Sequence, residues 1–415
     1  RRHTRYGTVT GVQTCALPIS GKGLRNVAIG RDTRASGEFL EFAVASGLAG
    51  AGLNVDVLGV VPTPAIAWLC ARGDADFGVM ISASHNPMPD NGIKFFGPGG
   101  EKLPDSVEDR IAALVAAPGS WNRPTGHDVG RIRHLPTARD EYVDALVANV
   151  PNSLSGISVV VDCANGAASS VAPEVLERAG ARVIAIHAEP TGWNINENCG
   201  STHMDVVAEA VRAYGADAGI AHDGDADRCL AVAADGSVVD GDHILGILAT
   251  SFREANRLVN DTVVTTVMAN LGFRQAMEAA GIQVWETAVG DRYVLEAMRS
   301  EGFVLGGEQS GHVVLSDYAT TGDGVLTALH LLARMTATGR SMAELAAIVP
   351  KFPQVLVNVS GVDKSQLASN VKIESALRET ETQLGGHGRV LLRPSGTEPL
   401  VRVMVEAATE DQANA

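Results

Sequence analysis

The sequence predicts an α/β protein of four domains: three mixed α/β domains, either repeats facing one central cleft or three unrelated units, then a small C-terminal α+β domain. Three observations carry this reading. Short β-branched runs alternate with Ala- and Leu-rich segments, the signature of strands interleaved with helices. The alternation passes three times along the chain. Each pass ends in an apolar strand running into a polar loop, as in "FGVMISASHN", "AGIAHDGDAD" and "FVLGGEQSGH". The tail breaks the pattern and reads as strand, helix, strand, turn, strand.

In the first pass, residues 26–30, 54–59 and 76–82 read as strands, and 37–52 and 63–73 as helices. The second pass gives strands at 156–166, 181–187 and 216–225 around a helix at 172–180. The third gives strands at 261–268, 282–287 and 301–308 with a helix at 271–281. The tail has strand-like runs at 352–361 and on both sides of "RPSGTEP" within 388–406. Expected domain limits are 21–135, 136–240, 241–350 and 351–415. Open α/β sheets bind ligands at the carboxyl ends of their parallel strands, so the three polar loops are expected to share one cleft.

Composition narrows the chemistry. The chain has 415 residues, 45% of them hydrophobic and 20% charged, as in a globular protein. Its formal net charge is −15 and it shows no Lys/Arg cluster, which argues against nucleic acid or an anionic membrane as partner. No apolar run is long enough to span a bilayer. The five cysteines are scattered without a CxxC, which fits a reducing cytoplasm better than a disulfide framework.

Four motifs carry chemistry. In "HDGDADR" (222–228), Asp223, Asp225 and Asp227 crowd three carboxylates into one loop. All-oxygen ligands without His or Cys suit a hard cation such as Mg²⁺, whose remaining positions commonly take phosphate oxygens. An EF-hand would need Gly and Glu where Arg228 and Ala234 stand, and a solvated acidic turn is the plainer alternative. In "ISASHNPMPDNGIKFF" (81–96), Ser84 could be a hydrolase nucleophile, a phosphorylated nucleophile or a turn serine. No G-x-S-x-G elbow is present. His85, adjacent in sequence, is expected to diverge from the serine and to serve poorly as its base. A phosphoserine would supply the oxygens that the carboxylates lack, with Lys94 and His85 offsetting its charge or moving protons.

"RPSGTEP" (393–399) offers the Arg393 guanidinium, the hydroxyls of Ser395 and Thr397, and backbone N–H groups around Gly396. These make either a phosphate clamp or an ordinary hairpin turn. In "GGEQSGH" (306–312), Glu308, Ser310 and His312 alternate and would point the same way if the segment is extended. A carboxylate and a hydroxyl so placed suit sugar hydroxyls or an amine, and His312 could carry protons.

Together these motifs, in this order and spacing, resemble the α-D-phosphohexomutase superfamily, and within it the bacterial phosphoglucosamine mutases. The resemblance runs from about Leu24 to the C-terminus. "ETAVGDRYV" (286–294) and the Gln of "GEQSGH" carry the narrower likeness. The resemblance implies an isomerase that interconverts glucosamine 6-phosphate and glucosamine 1-phosphate through a phosphoserine and a 1,6-bisphosphate, feeding UDP-N-acetylglucosamine synthesis. It implies phosphorylated Ser84, one Mg²⁺ on Asp223, Asp225, Asp227 and the Ser84 phosphate, and acid–base or transfer roles for Lys94, His85, Arg228 and His312. Glu308, Ser310, Asp291, Arg292, Arg393, Ser395, Gly396 and Thr397 would hold the substrate. A mutase for glucose or mannose phosphates and a catalytically impaired sugar-phosphate binder are the competing readings. The expected partner is a small sugar phosphate, and a homodimer stays open.

Two departures accompany the resemblance. Where the family opens with a short motif and a long helix, this chain has "RYGTVTGVQTCALPIS", and it stops where the family adds a final helix. Residues 1–20 are therefore expected to be atypical, leaving strands 26–30 and 76–82 partly uncovered and the chain impaired.

Overall fold

The computed structural model describes residues 25–116, 124–362, 367, 370–394 and 400–414. The atypical segment 1–20 lies outside them. The first sheet contains β1 (Asn26–Arg31), β2 (Asn54–Val60), β3 (Phe77–Ile81), β4 (Ile93–Phe96) and β5 (Ile132–His134), in the order β4-β3-β1-β2-β5. The second contains β6 (Ser158–Asp162), β7 (Arg182–Ile186), β8 (Ala218–Ala221), β9 (Leu230–Ala233) and β10 (Val238–Val239), ordered β10-β9-β8-β6-β7. The third contains β11 (Thr262–Thr266), β12 (Gln283–Thr287), β13 (Leu305–Gly307) and β14 (Val313–Leu315), ordered β12-β11-β13-β14.

These three sheets repeat one plan. The first strand is central, the second and third flank it in parallel, and the fourth joins the third antiparallel. The weak self-similarity of the sequence is thus a repeat of topology. In every unit the chain reverses between third and fourth strand through a polar loop: 82–92, 222–229 and 308–312. Parallel strands covered on both faces must be apolar throughout, and β3, β6 and β8 are buried at every position.

The strands of the first sheet are covered, contrary to the expectation for 26–30 and 76–82. Val27, Ile29, Val79 and Ile81 pack with Val44 and Leu48 of the helix Ala35–Gly50 and with Ile111 of the helix Asp105–Ala116. On the other face, Ala28 and Met80 meet Ile66 and Leu69 of the helix Thr63–Arg72.

The last unit is a three-stranded antiparallel sheet, β15 (Gln354–Ser360), β17 (Leu400–Glu406) and β16 (Arg389–Pro394) in spatial order, with the helix Val371–Leu384. It is moored to the third unit by buried Glu406. This carboxylate accepts the Asn270 amide at 3.1 Å and the Leu271 N–H at 3.0 Å, and pairs with Arg389 at 2.5 Å. No helix among the described residues is long and apolar enough to cross a membrane.

Candidate active site

The three reversal loops converge on the second unit's carboxylates. Asp223, Asp225 and Asp227 follow β8 and are all buried, with one oxygen of each within 4.8 Å of the others. The Ser84 hydroxyl, from the first unit, donates to Asp223 Oδ2 at 2.5 Å. Lys94, on β4, donates to Asp225 Oδ2 and, at 3.2 Å, to Asp227 Oδ2. His312, entering β14, holds its Nδ1 3.7 Å from Asp227 Oδ1. Arg228 Nε stands 3.9 Å from both Asp223 and Asp227. Three separate chain passes have delivered a nucleophile-type hydroxyl, three carboxylates and three cationic or protonatable groups to one place.

Ser84 sits with φ 54°, in the left-handed region that ordinary residues rarely occupy. This conformation overturns one expectation. Adjacent side chains diverge in extended chain, but the left-handed turn brings His85 Nδ1 to 3.2 Å from the Ser84 hydroxyl. Backbone strain of this kind persists only where the surroundings hold it.

The electrostatics follow from burial and crowding. Burial, with the neighbouring Asp227 and Asp225 charges, pushes Asp223 up to about 7. Burial also opposes ionisation of Asp227, yet Lys94, His312 and Arg228 outweigh it and hold that carboxyl well below the usual range. Burial works against the Lys94 ammonium, but Asp225 and Asp227 overcome it and hold its pKa above the ordinary lysine value. Asp225 Oδ1 is buried without a hydrogen-bond partner. A buried carboxylate oxygen left bare, among three carboxylates too close to ionise together, is what a cation would satisfy. The donor set therefore fits a hard divalent metal ion.

The third unit's loop departs from the extended form expected of 306–312. Glu308 N–H donates to the His312 carbonyl and Gly311 N–H to the Glu308 carbonyl, so the segment is a tight turn between antiparallel β13 and β14. Glu308 still lies beside Ser310, whose hydroxyl is 3.5 Å from its Oε2, while Oε1 accepts the Gly290 N–H at 3.0 Å. His312 is steered elsewhere, towards the carboxylates. Its ring lies flat against Gly322, where an added Cβ would come within 2.6 Å of three ring atoms. Its Nε2 accepts the Gly322 N–H at 3.2 Å and is 3.7 Å from Asp291 Oδ2. Asp291 opens the helix Asp291–Glu301, with Arg292 next to it in the first turn, and is bridged to Lys102 of the first unit.

Arg393 stands apart from this cluster, on β16. Ser395, Gly396 and Thr397 lie outside the described residues. Directly across from Arg393, on β17, is Arg402. Burial and then the Arg402 charge lower the Arg393 pKa, and Nε of Arg393 is buried without a hydrogen-bond partner. Like charges opposite one another destabilise a sheet.

Several residues near the site carry no motif of their own. Thr63 donates its hydroxyl to Asp225 Oδ2 and its N–H to the Asp225 carbonyl. Arg34 and Asn196 grip the carbonyls of the Ser84 loop. Arg34, in "IGRDTR" directly after a strand, could have been suspected, since a buried arginine needs several acceptors. Asn196 and Arg402 become visible only once strands and loops are placed side by side.

Comparison with known proteins agrees with this geometry. Models of the phosphoglucomutase/phosphomannomutase family match the whole course of the chain: alpha/beta/alpha domain I over residues 10–120, domain II over 140–236, domain III over 240–352 and the C-terminal domain over 356–415. A phosphoglucosamine mutase from Acidothermus cellulolyticus is 61% identical over 390 residues, 94% of this chain and 84% of that protein. Among solved structures, a phosphoglucomutase/phosphomannomutase family protein from Burkholderia thailandensis superposes with a TM-score of 0.84 at 24% identity, covering 98% of this chain and 90% of that one. An Aspergillus fumigatus N-acetylphosphoglucosamine mutase, solved in complex with GlcNAc-6P and magnesium, gives a TM-score of 0.67 at 20% identity over 85% and 90%. The chain belongs to the phosphoglucomutase/phosphomannomutase family.

Proposed function

We propose that the chain is a phosphoglucosamine mutase, interconverting glucosamine 6-phosphate and glucosamine 1-phosphate with Ser84 as the phosphoryl carrier. The observation that carries this reading is the Ser84 hydroxyl held 2.5 Å from Asp223 Oδ2, inside a carboxylate cluster with a bare oxygen. The identity of 61% to a phosphoglucosamine mutase supports the choice of sugar.

In the forward direction the phosphorylated Ser84 faces the sugar's O1. The Ser84 Oγ–P bond breaks as a P–O1 bond forms, the O1 proton passes to a base, and Ser84 leaves as its alkoxide or alcohol. The 1,6-bisphosphate then turns over, and Ser84 Oγ takes the 6-phosphoryl group back while O6 regains a proton. Asp223, Asp225 and Asp227 would hold Mg²⁺, one per chain. The chemistry that a bound ion supplies there is neutralisation of charge on the phosphoryl oxygens.

Lys94, cationic because two carboxylates face it, suits the stabilisation of transferred charge and the donation of a proton to the leaving oxygen. His312 accepts the Gly322 N–H at Nε2, so its Nδ1 carries the proton and points at Asp227 when the ring is neutral. Proton transfer to substrate by His312 would then run from Nδ1, in competition with Asp227. His85, beside the Ser84 hydroxyl, is the alternative carrier. Arg228 would face the moving phosphoryl group. Glu308 and Ser310 would hold the sugar with Asp291 and Arg292 nearby. Arg393 would hold the distal phosphate, with Ser395, Gly396, Thr397 and the cross-strand Arg402. A cytoplasmic location is proposed, in keeping with the four buried free cysteines among the described residues, together with a homodimer.

The test is intact-mass analysis with peptide mapping, together with coupled assays on glucosamine, glucose and mannose phosphates. One phosphoryl group on the peptide spanning 81–96 and a higher kcat/KM for the amino sugar are expected. Full turnover by Ser84→Ala would sink the phosphoserine mechanism, and equal kcat/KM for glucose 1-phosphate would sink the assignment of substrate.

A further inference from the structure

We infer that Asn196, a residue of the second unit, is a positioning residue that fixes the orientation of the Ser84 hydroxyl by clamping its loop to the carboxylate loop. The inference rests on the phosphoryl-carrier reading of Ser84.

The left-handed turn at Ser84 exposes the carbonyls of residues 84, 86 and 87 to one side, and side-chain donors meet them there. Arg34, only 1% exposed and paired with Asp32 at 3.0 Å, donates to the carbonyls of Ser84 at 3.2 Å, Asn86 at 2.8 Å and Pro87 at 2.5 Å. The Asn196 amide donates to two of the same acceptors, Ser84 at 2.8 Å and Asn86 at 3.0 Å. Arg34 belongs to the unit that carries the serine, whereas Asn196 comes from the unit that carries the carboxylates. A carbonyl oxygen has two lone pairs, and here each unit fills one.

The carboxylate loop is the third party. Gly224, between Asp223 and Asp225, lies against the same point. A Cβ there would fall 2.6 Å from the Ser84 carbonyl oxygen and 2.9 Å from Asn196 Nδ2. Nucleophile backbone, carboxylate backbone and the Asn196 amide therefore meet without spare room. Asn196 is itself held in a left-handed conformation, φ 58°, with its N–H on the Ala164 carbonyl at 2.9 Å. The loop that bears it is anchored by Asp162, which accepts the Gly200 N–H and His187 Nδ1. Through this chain of contacts, the fold of the second unit sets where Ser84 Oγ points relative to Asp223.

Two variants separate the amide from its backbone. Asn196→Gly keeps the left-handed conformation easy and removes the donors. Asn196→Asp keeps the shape and replaces both donors with acceptors that face carbonyls. Transfer from ³²P-labelled, Ser84-phosphorylated protein is followed in single turnover to glucosamine 6-phosphate and, separately, to glucose 6-phosphate. A misplacement of about 1 Å costs on the order of 10²-fold in rate. A loss of this size in kcat is expected for both variants and both acceptors, with sugar-phosphate KM within about twofold, Mn²⁺ affinity unchanged and the melting temperature retained. Arg34→Lys, which keeps the charge but loses the fork, should lose kcat in the same manner. Wild-type kcat in either Asn196 variant, or a fall in kcat matched by falls in Mn²⁺ affinity and melting temperature, would overturn the inference. The wild type's preference between the two acceptors reads the substrate assignment independently, because a wrong sugar lowers wild type and variants alike.

Discussion

The second unit carries two clusters of metal-type ligands with opposite characters. Asp223, Asp225 and Asp227 are one; Asp162, His187 and Cys199 are the other. Both bring three ligand atoms within reach of a single ion. In the second, the polypeptide has already answered each need. Asp162 Oδ1 accepts the Ala164 N–H at 2.8 Å, and Oδ2 accepts the Gly200 N–H and His187 Nδ1, both at 3.0 Å. Burial, with the Asp162 charge, pushes the Cys199 thiol up to about 12, so it stays protonated and poorly ligating. In the first cluster, Asp225 Oδ1 is bare, and cations gather around the carboxylates without saturating them. Residue types and proximity do not make a metal site. Ligand atoms that the protein has left unsatisfied do.

The largest effect expected from this contrast is on metal removal. Exhaustive treatment with EDTA should abolish turnover, and added Mg²⁺ should restore it. Turnover that survives chelation would erase the distinction between the clusters. Next comes Asp225→Asn, which removes a charge from the open cluster. Activity should fall by at least about 10²-fold, as when one preorganised electrostatic group is lost, and Mn²⁺ affinity measured by calorimetry should fall with it. Asp162→Ala should do the reverse. Leaving buried donors without an acceptor costs about 1–3 kcal/mol each, so the melting temperature should drop while Mn²⁺ affinity stays. Lost Mn²⁺ binding in Asp162→Ala would show that the closed cluster is the metal site.

A smaller effect is expected from pH. The folded-state value of Asp223, about 7, lies above its ordinary value of 3.8, so folding favours its protonated form. The associated stability is complete below about pH 4 and is lost as pH rises through about 7. Asp242, about 7, and Asp323, about 6, act in the same direction. The metal-free protein should therefore melt at lower temperature at pH 8 than at pH 5, by about 2–4 °C for each kcal/mol. Mg²⁺ should flatten the part due to Asp223, and Asp223→Asn should remove that part altogether. A protein whose pH dependence is identical with and without Mg²⁺ would contradict the assignment. Least of all, Cys199→Ser should leave both metal affinity and its pH dependence unchanged.

Much of this was legible before any contact was known. The threefold recurrence of apolar strand and polar loop gives the repeated topology, because strands buried on both faces must be continuous apolar runs and their reversals must be polar. The acidic loop makes a hard cation a candidate by composition, with a solvated acidic turn as the alternative. Other features were hidden for a physical reason. The convergence of Ser84 and His85 depends on a left-handed backbone that nothing in "SASHNP" forces. The turn at 308–312 follows from the antiparallel pairing of β13 and β14, which alternation of residue types cannot distinguish from an extended segment.

By itself, then, the sequence determined the α/β class, the order of the units and the chemical kinds of group available, since these depend on local apolar patterning and on residue type. Tertiary structure decided which groups meet. Lys94 and Asp225 are 131 residues apart, Ser84 and Asp223 are 139, and Asn196 reaches a carbonyl 112 residues away. Contacts of that span are set by how three sheets pack, and packing also decides which buried oxygens find a donor and which are left for a cation.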